Sequence, residues 1–199
     1  HKDITGYEIE RALLVMISKT KNIQVFEEHY AIDFITEHHV QKAPLDLQDE
    51  ITCFGAYVFD SNANQVKTIV SKITLVASGG SGQAYTTTTN PSIATGDGVG
   101  MAYRAKAEIE GMEFVQFHPT ALFQSPQESP AFLISEAVRG FGARLRTVKG
   151  EFFMRKYDER EELASRDIVA RAIDTELKTS GDNYVFLDCT QLDFEKFKE

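Results

Sequence analysis

Tryptophan is missing from this 199-residue chain, cysteine occurs twice and proline five times. Each scarcity excludes something. Two cysteines as far apart as Cys53 and Cys189 make neither a disulfide framework nor a metal-binding spacing, so no metal site is expected and a reducing cytoplasm suits the chain. No apolar run approaches the roughly 20 residues that span a bilayer, and no signal peptide stands out, so direct membrane insertion is not expected. Docking to a membrane partner is left open. Lysine and arginine number 21 against 30 acidic residues, a net charge of −9, and they are scattered. That argues against nucleic acid as a partner, because its phosphates need a basic surface. Also lacking is a G-x-G-x-x-G after a strand, whose glycines let a backbone approach a pyrophosphate at a helix N-terminus. Internal repeats and low-complexity segments are absent too.

What is present, with 42% hydrophobic residues, can bury a sizeable core in one domain or two. Thr5-Gly6-Tyr7-Glu8 reads as a capping box, and Ile9, Leu13, Met16 and Ile17 carry an amphipathic helix to about Lys19. Residues 23–27 and 31–36 are β-rich. Pro44-Leu45-Asp46 breaks the pattern before a strand at 51–60, and turn residues at 61–64 lead to a hairpin partner at 66–70. The stretch 73–77 is the most apolar short strand and should be buried on both faces. Beyond Met112 come charged helices around 131–140 and 165–178 and a strand near 184–188, the start of a second domain. The fold class expected is α/β, of the α+β kind. His38-His39 reads as an exposed turn without a role.

Four places could carry chemistry. The strand at 73–77 runs into Ser78-Gly79-Gly80-Ser81-Gly82, a change from strand to glycine loop at a carboxyl edge, where open α/β sheets bind ligands. Ala77, Ser78, Gly79 and Gly80 can lie there against a cofactor, although glycine also closes ordinary turns. Thr95-Gly96-Asp97-Gly98 then feeds a helix through about residue 107, and Asp97 at its start is either a plain cap or a ligand contact. Further on, the stretch 111–122 places polar groups where an apolar strand should stop. With period two, Gln116, His118 and Thr120 share one face, Val115 and Phe117 point into a core, and Pro119 ends the ladder. A histidine satisfied by backbone carbonyls is the plainer alternative. Glu136 and Arg139, three apart on a helix, share a face and can pair, and most such pairs are solvated bridges worth under ~1 kcal/mol.

The histidine stretch, Ser135-Glu136-Ala137-Val138-Arg139-Gly140, and the segment 158–173 around Ser165-Arg166-Asp167 follow in an order and at separations that carry a resemblance. They resemble the flavoprotein family of succinate dehydrogenases, fumarate reductases and L-aspartate oxidases. Within it, the short link from Phe153-Met154 to Ser165-Arg166-Asp167, the Ala121-Leu122 after His118-Pro119-Thr120, and Val185-Phe186-Leu187-Asp188 are most similar to the L-aspartate oxidase branch. The resemblance runs along the whole chain yet covers only the middle of such an enzyme, which implies an internal fragment. His1 in place of an initiator methionine and the charged run at 196–199 agree with that. By the same resemblance, residues 1–111 are the C-terminal part of a Rossmann-like FAD-binding domain with a β-hairpin or meander insert. Residues 112–199 are the first part of an α+β capping domain.

The resemblance implies FAD as cofactor and oxidation of a C4 dicarboxylate by hydride transfer to flavin. With L-aspartate as substrate the product is iminoaspartate, the first step of quinolinate and NAD biosynthesis, coupled to a quinolinate synthase. A succinate dehydrogenase or fumarate reductase subunit, acting on succinate or fumarate, is the near rival. A dicarboxylate-binding module without turnover is the rival of another class. Carried over residue by residue, Asp97, the loop Ala77 to Gly80 and the backbone at Tyr30-Ala31 correspond to cofactor contacts. His118 and Ser135 match groups that hold a substrate carboxylate, Gln116 lies near the flavin, and Thr120 belongs to the same substrate-side set. Arg166 is the central anchor, able to grip a carboxylate bidentately, and Glu136 and Arg139 pass protons to it in fumarate-reducing relatives. Ser78 and Ser135 stand where threonine is usual. Phe141 stands where the family often has glutamate, which removes one carboxylate near that proton route.

Overall fold

The computed structural model describes residues 5–41, 50–126 and 128–193. The break expected at Pro44-Leu45-Asp46 and the charged run at 196–199 lie outside them. The chain packs as two compact units, one made of residues up to Ala84 together with Ile93–Glu113, the other of Tyr85–Ser92 together with residues from Phe114 onward.

In the first unit helix α1 spans Thr5–Lys19, and the Glu8 carboxylate expected in a capping box is taken by Arg11, whose Nε donates to it at 2.7 Å. Strand β1 (His29–Ile35) is followed by the short helix α2 (Glu37–Gln41), strand β2 (Gly55–Asp60) and strand β3 (Gln65–Val70). The three strands form an antiparallel meander in the order β1-β2-β3. Its tight hairpin is organised by Asp60, whose carboxylate accepts the N–H groups of Asn62 and Ala63 at 3.0 Å each. The same carboxylate meets the Lys67 ammonium and lies 3.5 Å from His29 Nε2. Lys67, with the turn N–H groups behind it, holds the Asp60 carboxyl down to about 2. His39 of α2 is not idle, since its Nδ1 accepts the Thr36 N–H at 3.3 Å and its ring packs edge-on to Tyr57.

Helix α3 (Asp97–Arg104) buries Gly98 and Met101, and Arg104 reaches β1, donating to Asp33 at 3.0 Å and to the Ile32 carbonyl at 3.1 Å. Gly98 is a close-approach position: a Cβ there would stand 2.0 Å from Ser78 Oγ and 2.9 Å from Val76 Cγ1. The helix therefore presses directly on the 76–78 segment.

Two expected strands of this unit do not form. Residues 23–27 are coil, and so is 73–77, where Ile73 is 86% and Leu75 87% exposed instead of buried. A strand exists only through a ladder partner, and no described segment pairs with either.

The second unit contains helix α4 (Glu136–Gly140), strand β4 (Arg144–Arg146), helix α5 (Arg166–Ser180) and strand β5 (Phe186–Asp188). Single 3₁₀ turns lie at Met154–Lys156 and Glu161–Leu163. Its core is Leu145, Phe153, Met154, Ala164, Val169 and Ala172, with Ile168, Ile173, Val185 and Leu187 packed on it. The spacing of Ile168, Val169, Ala172 and Ile173 is a helical stripe, which is why α5 docks by that face. Strand β4 pairs with β5 antiparallel, Leu145 opposite Leu187. Gly181, at φ 77°, ends α5 in the left-handed conformation that glycine adopts freely, its N–H donating to the Leu177 carbonyl at 2.8 Å.

The strand expected in the stretch 111–122, with Pro119 ending its ladder, is also absent. Val115 is 44% and Phe117 53% exposed, and Phe117 meets Tyr85 edge-on at 5.2 Å rather than entering a core. Backbone pairing begins only at Ala121, opposite Leu133. Helix α4 is shorter than the 131–140 expected because its upstream backbone is taken: Ala131 N–H donates to the Thr88 carbonyl at 2.8 Å and Ile134 N–H to the Thr120 carbonyl at 3.0 Å. The result is a mixed fold of helices and strands, in which every strand pairing among the described residues is antiparallel.

Candidate functional site

The second unit gathers most of the chemistry-bearing side chains around the start of α5. Arg166, first residue of that helix, donates from Nε to Glu136 Oε2 at 2.8 Å and from Nη1 to Gln116 Oε1 at 3.3 Å. Three segments distant in sequence therefore meet at one guanidinium. The Arg166 hydrogen bond holds the Glu136 carboxyl below the usual carboxylate range, with smaller contributions from Arg139 and His118. Both side chains of the pair are about half exposed, so the bridge adds little to stability and leaves guanidinium N–H groups open to a ligand.

His118 lies two residues beyond Gln116 on the same exposed coil and contributes weakly to the electrostatics of the Glu136 carboxyl. Its Nδ1 lies 2.6 Å from Thr89 Oγ1. Ser135 is the N-cap of α4, where its Oγ accepts the Ala137 N–H at 3.2 Å. An accepting hydroxyl keeps its own hydrogen to donate, so Ser135 can still serve an anion. Thr120 is placed differently. It is buried, and its hydroxyl donates to the Ile134 carbonyl at 3.1 Å, fastening two chain segments together.

Glu136 and Arg139 share α4, but the structure does not bond them to each other. Arg139 is 2% exposed and turns inward, its Nη1 donating to the Glu162 carbonyl at 2.6 Å. Its Nε is buried without a partner. Desolvation pulls the guanidinium below its ordinary range, opposed by the nearby carboxylates of Glu136 and Glu162. A buried cation must find acceptors, and the turn at Glu161–Leu163 supplies one where Glu136 would have left it in water.

In the first unit, the segments 78–80 and 96–98 are locked side by side. Gly96 N–H donates to the Gly80 carbonyl at 3.2 Å, and Gly98 rests on Ser78. Ala77, Ser78, Gly79 and Gly80 are all exposed. Gly96, at φ 79°, is the N-cap of α3, so Asp97 is not the cap but the exposed first helical residue. Tyr30 and Ala31 lie exposed on β1, opposite Phe59 and Val58. Small side chains, open backbone and an acid at a helix start fit the edge of a large nucleotide cofactor. The phosphate fingerprint is not among these residues.

Sequence reasoning missed Thr89 and Glu162. The run Thr86-Thr87-Thr88-Thr89 before Asn90-Pro91 was the only signal for the first, and four adjacent threonines do not say which one turns to a histidine. The second sits in a run of charge that reads as a solvated face.

Chemically, the second unit offers a guanidinium bonded to a carboxylate and an amide, with an imidazole two residues from that amide and a hydroxyl next to that carboxylate in the chain. Groups of this kind can hold a carboxylate. Residues 2–199 match the sequence profile of the FAD binding domain family. L-aspartate oxidase 2-a, chloroplastic, of Nicotiana tabacum is 49% identical over 201 residues, which are 98% of this chain and 30% of that protein. L-aspartate oxidase 1 of Ralstonia nicotianae is 47% identical, over 96% of this chain and 33% of its own length. Among solved structures, an E. coli quinol fumarate reductase superimposes with a TM-score of 0.79 at 26% identity, covering 98% of this chain and 34% of that one. The chain thus spans about a third of the length of the relatives it matches. No helix among the described residues is long and apolar enough to cross a membrane.

Proposed function

The chain belongs to the FAD binding domain family, and from that premise we propose that it is part of a flavoenzyme oxidising L-aspartate to iminoaspartate, at the entry to quinolinate and NAD. The observation that carries this reading is the meeting of Gln116, Glu136 and Arg166 in a chain so similar to L-aspartate oxidases. Residues 1–111 are the C-terminal part of the cofactor domain, the meander being its insert, and 112–199 begin a capping domain. Asp97, the loop Ala77 to Gly80 and the backbone at Tyr30-Ala31 would hold FAD. When bound, FAD supplies the two-electron acceptor.

The other groups prepare the substrate. Arg166 grips a carboxylate and neutralises charge, which a rigid fork of donors does well in a site closed to water. His118 and Ser135 hold a carboxylate, and Gln116 orients Arg166 from the other side. A guanidinium keeps its proton too firmly to be a ready base. None is needed if the amine of L-aspartate arrives neutral, because the α-carbon can then lose hydride while Arg166 only positions and stabilises. Glu136, ionised beside Arg166, keeps that cation in place. In the fumarate-reducing members that this chain resembles, the groups matching Arg139 and Glu136 return a proton to the arginine matching Arg166 after it has protonated the substrate; here Arg139 is turned to the Glu162 carbonyl, so only the Glu136–Arg166 link of that route is in place. Phe141 leaves that route without the glutamate often present in relatives.

Iminoaspartate hydrolyses in water, so direct handover to a quinolinate synthase in the same compartment, here taken as the cytoplasm, suits this product. A full-length polypeptide carrying these residues should purify yellow and release hydrogen peroxide when L-aspartate is added. Colourless protein that still binds dicarboxylates would replace the enzyme with a binding module. The likeness to a quinol fumarate reductase favours a second reading, a fumarate or succinate enzyme. Dye reduction driven by succinate and not by L-aspartate would establish it instead.

A further inference from the structure

Thr89 touches none of the reacting groups, yet it lies 2.6 Å from His118 Nδ1 and is half-buried. Its loop is pinned on both sides. The Thr88 carbonyl receives the Ala131 N–H at 2.8 Å, and the buried Thr88 hydroxyl accepts the Asn90 N–H at 3.1 Å. The Thr89 hydroxyl is therefore delivered to the imidazole by a fixed piece of backbone.

The nitrogens of a neutral imidazole are not equivalent: one donates, one accepts, and the partner of the first decides the role of the second. A substrate carboxylate can be held only by a donor. A carbonyl or carboxylate at Nδ1 would demand an N–H there, leaving Nε2 a lone pair turned against the anion. A hydroxyl is different, because it can donate. We propose that Thr89 is a positioning residue for His118: its O–H donates to Nδ1, keeps the imidazole proton on Nε2, and aims that N–H at a carboxylate of the dicarboxylate substrate. The inference rests on the dicarboxylate reading above.

The test uses the full-length flavin-loaded enzyme with ¹⁵N-labelled histidine, comparing the wild type with Thr89→Val and Thr89→Ser. In the wild type the His118 signals should show an unprotonated Nδ1 and a protonated Nε2. Thr89→Val should lose that preference and raise KM for L-aspartate about tenfold, the loss of one well-placed hydrogen bond. Its kcat and flavin absorbance should stay near the wild-type values, and Thr89→Ser should retain both tautomer and KM. Should the valine variant fail to fold, Thr89→Ala carries the same readout. Unchanged tautomer and KM in the valine or alanine variant, in an enzyme that His118→Ala impairs, would overturn the role of Thr89 alone. Dicarboxylate binding untouched by His118→Ala would overturn the reading beneath it.

Discussion

Arg139 donates to the backbone carbonyl of Glu162 at 2.6 Å, and the Glu162 carboxylate accepts the Leu145 N–H at 2.9 Å. Both residues are buried. One glutamate thus joins helix α4 and strand β4 through a turn that ends just before α5 begins. The position of Arg166 follows from that junction more than from its own exposed ion pair.

Glu162→Ala should therefore destabilise the protein by about 2 kcal/mol, because the Leu145 N–H loses its acceptor in a place water does not reach. Glu162→Gln keeps an amide oxygen for that N–H and should cost less. Urea unfolding of the three proteins, compared at constant m-value, measures the difference.

Arg166→Leu should lower kcat for aspartate oxidation by roughly 10²-fold or more, on the scale of removing one preorganised charge-stabilising donor. Flavin should stay bound, since the proposed cofactor residues belong to the other unit. Turnover and the flavin-to-protein absorbance ratio check the two halves, and an unchanged rate would reject the assignment.

Acid should loosen the meander in a defined window. The Asp60 carboxyl is held at about 2 against an ordinary 3.8. A group depressed in the folded state contributes fully above its unfolded value, and the contribution fades as pH falls from 3.8 toward about 2. Lys67→Met removes the chief cause. Its urea midpoint should lie below the wild-type value at neutral pH, and the gap should narrow across that window.

Gly98→Ala should destabilise by about 1–3 kcal/mol, because the new methyl must displace Ser78 or Val76 from a packed contact. Calorimetry gives the shift in Tm. The variant should also hold flavin less firmly, since the segment pushed aside is the one proposed to lie along the cofactor, and gel filtration with absorbance detection reports that separately.

Periodicity carried much of this structure into view. The spacing of Ile168, Val169, Ala172 and Ile173 marks α5 without help, and the turn residues after Asp60 mark the hairpin. Strands were harder wherever apolarity stood in for pairing. Ile73 and Leu75 read as core, but a strand is a property of two segments, and their partners are not among the described residues. Gln116 and His118 were singled out for the right polarity on the wrong scaffold: an exposed coil presents them, not one face of a ladder. The Glu136 and Arg139 pairing misled for a related reason. Helical spacing says which side chains are neighbours, and burial then decides which partner each one takes. A contact such as Thr89 with His118 crosses about thirty residues of chain, and no local pattern encodes it.

Glu161 carries a left-handed backbone, φ 51°, five residues before Arg166, and its carboxylate meets Arg144 at 2.9 Å. Glycine would occupy that backbone at no steric cost. Heat-driven laboratory evolution should therefore drift toward Glu161→Gly, giving up the part-exposed Arg144 ion pair for an unstrained backbone. Backbone ease and side-chain pairing pull against each other at that single residue.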